Sequence, residues 1–218
     1  KMYWERNCVK AAFGRAGFQR TTTSQWSAAW AKHPTHEQFR AMNRYQKVNH
    51  FPGSWCIGRK DRLLRTLFKL RRSHGPGAFG FFPEGYVLPG ERGALLRTIQ
   101  TDINFKGKGV DNKLWIIKPV ASSCGRGIKV LNRAEVQALK RDKKAIVTRY
   151  VSSPYLIGGR KFDLRLYVLV TSVDPLQVYL FDQGLARFCT KRYSKSNTKS
   201  RYGHLTNYSI NKKSAAFE

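Results

Sequence analysis

Two short segments hold the residues best suited to chemistry. The first is Trp115-Ile116-Ile117-Lys118-Pro119-Val120-Ala121-Ser122-Ser123-Cys124-Gly125-Arg126-Gly127-Ile128. An apolar strand there delivers a lysine, and a loop of small residues leads into another β-branched strand. Gly125 and Gly127 let backbone N–H groups approach an anion closely, and successive N–H groups in such a turn form an anion-binding nest. Lys118 and Arg126 add point charge; at ~4 Å and an effective dielectric of ~20, one charge pair is worth roughly 4 kcal/mol before desolvation. The lysine precedes the glycines and no helix follows them, so this is not a Walker A loop. A strand–glycine loop–strand hairpin folded over phosphates fits the pattern. An ordinary glycine-containing hairpin turn fits it as well.

The second segment is Lys161-Phe162-Asp163-Leu164-Arg165-Leu166-Tyr167-Val168-Leu169-Val170. Strand alternation puts Phe162, Leu164, Leu166, Val168 and Val170 on one face and Lys161, Asp163, Arg165 and Tyr167 on the other. The first face suits a core; the second is a compact array of donors with one acceptor, or simply a solvated face. Arg187 and His204-Leu205-Thr206-Asn207-Tyr208-Ser209 supply further polar groups for a shared site. Between the segments, Thr148-Arg149-Tyr150-Val151 ends a strand before Ser152-Ser153-Pro154. A strand broken at a proline leaves backbone groups free to meet a purine edge, and an edge strand ending in a loop reads the same way. No carboxylate pair, and no acid followed closely by Asn, occurs after residue 182. The histidines at 33, 36, 50, 74 and 204 show no metal-ligand spacing beyond His33 and His36.

These residues need a scaffold. Leu63, Leu64, Leu67, Phe68 and Leu70 recur at helical spacing over 61–72, and Gly75-Pro76-Gly77 is a stop. Residues 91–103 predict a second helix with Leu95, Leu96 and Ile99 inward. Strands are expected over 114–120, 128–131, 145–151, 162–173 and 176–181, the last two joined by a turn at Val173-Asp174-Pro175-Leu176. A short helix over 134–140 follows a candidate cap at Asn132. Residues 1–50 are mixed and poorly periodic, 50–54 is turn chemistry, and the chain after Tyr193 is loop-like. Helices followed by turn-connected strands predict an α+β fold with a largely antiparallel sheet.

The 218 residues suffice for one large domain or two small ones. With 41% hydrophobic and 13% aromatic residues, the chain can bury a core, which argues against disorder. The longest apolar, uncharged stretch, residues 166–173, is far short of the ~20 needed to span a bilayer. The N-terminus lacks the features of a secretory signal and does not begin with Met, so the chain reads as an excerpt of something longer. Cys8, Cys56, Cys124 and Cys189 are scattered, which suits a reducing compartment rather than a disulfide framework or a zinc site. The 41 Lys and Arg against 13 Asp and Glu give a formal net charge of +28. Such an excess calls for a polyanionic partner: nucleic acid, an anionic membrane or an acidic protein. Composition does not choose among them.

Taken in order, several motifs resemble one family, the tubulin tyrosine ligase-like enzymes, which are ATP-grasp amino acid ligases; within it the chain is most similar to the glutamylase branch. The resemblance is carried by His50-Phe51-Pro52-Gly53-Ser54, Ile57-Gly58-Arg59-Lys60-Asp61, Lys118-Pro119-Val120-Ala121-Ser122-Ser123, Lys161-Phe162-Asp163-Leu164-Arg165 and His204-Leu205-Thr206-Asn207-Tyr208-Ser209-Ile210-Asn211. It covers roughly residues 45–218. It implies an ATP-grasp-like fold, with residues 1–110 forming an N-terminal and linker part. Residues 111–218 would form the central nucleotide cradle, cut before the metal site.

For ATP, the resemblance implies that Lys118 contacts phosphate, with Lys60 reaching in from the N-terminal side. Cys124 and Gly125 form the loop beside ATP, and Thr148, Arg149, Tyr150 and Val151 form the hinge at adenine. Lys161, Phe162 and Asp163 read base and ribose, Arg165 faces the transferring phosphate, and Thr206 and Asn207 line the phosphate end. Arg165, Arg187, Thr206 and Asn207 are thus the candidate catalytic set, and Arg187 and Tyr208 would hold the incoming glutamate. The implied reaction adds free L-glutamate to glutamate side chains of acidic tubulin tails through an acyl phosphate. Mg²⁺ is implied too, with its ligands, an Asp and a Glu close to an Asn, expected beyond residue 218. The chain departs from the family pattern at Cys124, where the family usually has Arg, a position linked to the protein acceptor. The expected partners are tubulin or microtubules and free glutamate, not nucleic acid or membrane. The expected place is the cytoplasm and cytoskeleton, with cilium or basal body as the narrower reading. A glycine ligase of the same family, and a non-catalytic basic binder of acidic tails or nucleic acid, are the alternatives.

Overall fold

A computed structural model describes residues 6–104 and 113–217, and the chain divides into two compact units, Lys1–Gly58 and Arg59–Glu218. The expected boundary between residues 110 and 111 lies outside the described residues. The first unit is built from short elements: α1 (Asn7–Arg15), β1 (Ala28–Ala29), α2 (His36–Arg40), β2 (Lys47–Val48) and α3 (Trp55–Gly58). β1 and β2 pair in parallel. Thr35 starts α2 with a capping box: its hydroxyl accepts from the Gln38 N–H while the Gln38 side chain accepts from the Thr35 N–H. The His33 ring stacks on Trp55 at 5.5 Å between centroids. Trp26 and Trp30 do not share a helix.

In the second unit, α4 (Lys60–Phe79) breaks at Gly75 (φ 82°, ψ 164°), as the glycines and proline predict. Helix then resumes to Phe79, because Pro76 sits where a new helix favours proline. β3 (Gly85–Leu88) and α5 (Arg92–Asn104) follow, then β4 (Trp115–Pro119), β5 (Lys129–Leu131), α6 (Arg133–Gln137) and β6 (Ala145–Arg149). A capping box between Asn132 and Glu135 opens α6. The four strands form an antiparallel sheet in the order β3-β6-β4-β5. One face packs Trp115, Ile117, Ala145 and Val147 against Leu95 and Ile99 of α5 and Val136 of α6. On the other, Val87 and Ile146 meet Leu64 of α4. Each large apolar side chain buried in this way contributes about 1.5–3 kcal/mol of transfer free energy. Lys118 pairs with Ile146, so it stands on the α4 face, where Lys60 begins that helix.

The chain continues through β7 (Leu156–Ile157), β8 (Arg160–Arg165), β9 (Val168–Val173), β10 (Leu176–Leu180), β11 (Leu185–Phe188), α7 (Arg201–His204) and α8 (Tyr208–Asn211). The strand expected over 162–173 is two strands. β8 is sandwiched between β11 and β7, whereas among the described residues β9 pairs with β10 alone, in a hairpin, and Leu166 and Tyr167 separate β8 from β9. The face expected to be core is open: Leu164 is 62% and Val168 59% exposed. Alternation assigned the faces correctly within β8, but no layer among the described residues covers the apolar one. The described helices include none long and apolar enough to cross a membrane.

Candidate functional site

Three lysines converge beside the glycine loop. Lys118 leaves the sheet at the end of β4, and Lys60, at the start of α4, donates to the Ser122 carbonyl at 2.5 Å. Burial lowers the Lys118 pKa, and the Lys60 charge lowers it further. Burial also lowers Lys161, and the Lys118 charge adds to that, while Cys189 and Asp163 pull it back up. No carboxylate is paired with Lys118 or Lys161 among the described residues. Part-buried cations without a counter-charge are costly unless an anion arrives.

The loop that follows β4 is held in the left-handed region at Cys124 (φ 60°), Gly125 (φ 70°) and Gly127 (φ 69°). Cys124 tolerates that conformation at a cost of order 1–3 kcal/mol, the kind of strain found where backbone must approach a ligand. Ser209 of α8 donates to the Cys124 carbonyl at 2.8 Å and anchors the loop. Next to it lies a cavity of about 560 Å³ whose lining includes Cys124, Arg126, Lys191, Lys199, Arg201 and Lys213 and no acid.

Asp163 organises the other side. It stands opposite Arg187 in the β8–β11 ladder and accepts two bonds from its guanidinium, at 2.7 and 2.6 Å. The Thr206 hydroxyl donates to the same carboxylate at 2.7 Å. Burial alone would raise the Asp163 pKa; the Arg187 and Thr206 bonds, with the charges of Arg187 and Arg165, outweigh it and hold the carboxyl below its usual range. Arg187, Thr206 and Tyr208 share the lining of a second cavity of about 460 Å³. The structure thus brings the glutamate candidates Arg187 and Tyr208 together, and ties Arg187 to Asp163.

The hinge residues part company. Tyr150 turns inward, its hydroxyl 2.9 Å from Lys161 Nζ and 2.8 Å from His204 Nδ1. Thr148 is buried, with its hydroxyl unpartnered, and Val151 is exposed. Arg149 points away, pairing with Glu84 at 3.0 Å and Asp102 at 2.5 Å and lying over the Trp115 ring at 4.0 Å. Its side chain belongs to the packing of the sheet, and its backbone N–H donates to the Glu84 carbonyl at 2.8 Å. Phe162 likewise lies on the far face of β8 from Lys161 and Asp163, stacked on Phe188 at 5.5 Å.

Sequence reasoning named Thr206 and Asn207 but gave no role to His204, which meets Tyr150 and Asn197, or to Asn211, which holds Asn207. Asn211 is 1% exposed; its amide donates to the Leu205 and Asn207 carbonyls and its oxygen accepts from Thr190. Among the described residues no three His, Cys, Asp or Glu side chains gather to hold a metal ion. Asp163, the acid of this cradle, is already engaged, so the residues present do not fit Mg²⁺ by themselves. The lysines and the left-handed loop do suit the phosphates of a nucleotide.

The profile of the tubulin-tyrosine ligase family matches residues 38–218. The chain is 41% identical over 215 residues, 97% of its length, to the tubulin monoglutamylase TTLL4 of Homo sapiens. It is 43% identical over 180 residues, 82% of its length, to the human tubulin polyglutamylase TTLL5. To the tubulin polyglutamylase ttll-4 of Caenorhabditis elegans it is 40% identical over 185 residues, or 84% of the chain. The chain spans 17%, 13% and 29% of the lengths of these relatives.

Proposed function

This chain belongs to the tubulin-tyrosine ligase family, and on that premise we propose that it carries the nucleotide cradle of an ATP-dependent ligase, ATP-grasp-like in fold. That ligase joins free L-glutamate to glutamate side chains of acidic tubulin tails. The observation that carries the reading is the pair of part-buried lysines whose charges act on each other, Lys118 and Lys161, neither salt-bridged to a carboxylate among the described residues, with the left-handed loop at Cys124 and Gly125 following Lys118 in the chain. The names of the relatives supply the amino acid and the acceptor, and they favour glutamate over glycine and an enzyme over a passive basic binder.

In this proposal the parent protein joins the two substrates in two steps. A side-chain carboxylate oxygen of the acceptor attacks the γ-phosphorus of ATP, the bond to the ADP oxygen breaks, and an acyl phosphate forms. The amino nitrogen of free glutamate then attacks the acyl carbon, loses a proton and expels phosphate. Lys118 and Lys60 hold the phosphates, and donors already in place there spare the cost of reorganising as charge shifts. Lys161 and the chain leaving β6 at Val151 receive the base, with Asp163 beside the ribose, since the backbone N–H groups of Arg149 and Tyr150 already donate to Glu84 and Leu114. Arg165 faces the transferring phosphate, Thr206 and Asn207 close the phosphate end, and Arg187 and Tyr208 hold the free glutamate. Mg²⁺ would screen the phosphate charge from ligands outside residues 1–218.

The cation-lined cavity beside Cys124 suits an acidic tail, and the +28 charge would steer it there, most strongly at low salt. The partners are then tubulin or microtubules rather than nucleic acid or membrane, and the place is the cytoskeleton, cilium and basal body included. The decisive experiment is ATP-dependent incorporation of labelled glutamate into tubulin, with Lys118→Ala as comparison. Incorporation lost in the variant supports the reading; no incorporation by the parent protein, or none lost in the variant, overturns it.

A further inference from the structure

Lys161, Tyr150, His204 and Asn197 form a chain whose hydrogen positions follow from its two ends. Lys161 Nζ has only donors and lies 2.9 Å from the Tyr150 oxygen, so that oxygen accepts. The Tyr150 O–H must then point elsewhere, and His204 Nδ1 stands 2.8 Å away. At the far end, His204 Nε2 is 3.0 Å from the Asn197 carbonyl oxygen, which can only accept. A neutral imidazole closes this chain only with its proton on Nε2. His204 is 2% exposed, and the Tyr193 ring meets it edge-on at 5.0 Å, so water does not substitute for these partners.

We propose that His204 is a positioning residue for the nucleotide: by accepting the Tyr150 proton at Nδ1 it turns the Tyr150 oxygen toward Lys161 and fixes that ammonium in the cradle. The proposal rests on the reading of Lys161 as an ATP contact. Residue 204 grips Lys161 twice, since its own carbonyl also accepts from Nζ at 3.2 Å. Those two bonds use two of the three ammonium hydrogens and leave the third for a ligand. Protonating His204 would turn Nδ1 into a donor aimed at the Tyr150 hydroxyl and set a second cation beside Lys161. Burial disfavours that form, and so does the Lys161 charge, while the Asn197 and Ser194 carbonyls favour it. Tyr150 does not ionise in compensation, because burial and then Tyr193 push its own pKa up.

The test compares His204→Leu, His204→Asn, Tyr150→Phe and Lys161→Ala for the Kd of a fluorescent ATP analogue, the KM for ATP and the thermal midpoint. Imidazole 15N NMR of the parent protein reports the tautomer directly. We expect His204→Leu and Tyr150→Phe each to weaken the analogue roughly tenfold, the effect of one lost bond to a charged group. The double variant is then no worse than either single one, because both break the same chain. His204→Asn, whose amide oxygen reaches the place of Nδ1, recovers most of the affinity. An Nε2-protonated, neutral ring in the NMR spectrum supports the proposal even where His204→Leu fails to fold; a proton on Nδ1 overturns it. Parent-like affinity in Tyr150→Phe alongside loss in Lys161→Ala overturns the positioning role and leaves the ATP site intact. Parent-like affinity in Lys161→Ala removes the ATP reading itself, and this proposal with it.

Discussion

Replacing Gly125 by Ala tests the contact between the phosphate-facing loop and the turn that carries Asn207. Gly125 has φ 70°, and a Cβ built there would lie 2.5 Å from Ile210 Cδ1 and 2.9 Å from Asn207 Oδ1. Gly158 is the internal control: its φ is 57°, and a Cβ there meets nothing within 4 Å. Gly158→Ala should therefore cost only the left-handed backbone term, about 1 kcal/mol. Gly125→Ala incurs the same term plus overpacking of ~1–3 kcal/mol. The Ile210 methyl can rotate away. Asn207 is less free, because its carbonyl accepts from the Ile210 and Asn211 N–H groups and from the Asn211 amide. The excess of roughly 2 kcal/mol corresponds to a thermal midpoint about 4–8 °C below that of Gly158→Ala. Displacing Asn207 should also weaken a fluorescent ATP analogue at least about tenfold, against no change in Gly158→Ala. Equal midpoints for the two variants would refute the packing of this loop on Asn207 and Ile210. Unequal midpoints with unchanged affinity would remove the loop from the nucleotide site.

Arg149→Met should lower stability by ~2 kcal/mol in urea denaturation, since it removes charged bonds to Glu84 and to the part-buried Asp102, while Lys113 still pairs with Asp102 at 2.8 Å; the ATP-analogue Kd should hardly move. Asp163→Asn removes one partner from the bidentate Arg187 pair. Because that pair is half-exposed, about 1 kcal/mol of stability is at stake, while steady-state kinetics should show a larger rise in KM for glutamate. Acid titration of the thermal midpoint should expose His204. Its folded pKa is depressed, so the unfolded chain binds the extra proton; its contribution is complete above ~6.5 and is lost as pH falls through the folded value. His204→Asn should flatten that stretch of the curve. At the other end, Lys118 is also depressed, so analogue affinity should fade with rising pH before the ordinary lysine range near ~10.5, and Lys118→Arg should keep it.

Much of the second unit was legible because its strands and helices obey local rules. The 3.6-residue period over 91–103 became α5 with Leu95 and Ile99 buried, and Asn132 is the cap it was read to be. What escaped was short or two-sided. β3 has four residues between turns, and β11 pairs through Arg187 and Phe188, too brief for a period to register. The strand over 162–173 shows the limit of alternation: it says which residues share a face, not which layer covers that face.

The site was legible by residue type and illegible by partner. Lys161 and Asp163 were found because strand alternation puts them on one face, and Arg187 as a further polar group beyond that strand. Arg149 and Phe162 were assigned to the nucleotide by position in a motif, and the structure sends one side chain to Glu84 and Asp102 and the other to Phe188. His204 and Asn211 stood at the two ends of the last motif with no role read for either. Their work depends on which of several hydrogen-bonding atoms meets which acceptor, a choice made only once β8, α7 and α8 are brought together. Arginine and histidine are therefore the residues for which motif position says least, since a buried polar group is defined by its partners. Among the described residues Lys118 and Lys161 are salt-bridged to no carboxylate, whereas Arg149 pairs with two. That difference in partners, and not position in the sequence, is what marks the Arg149 side chain as part of the packing.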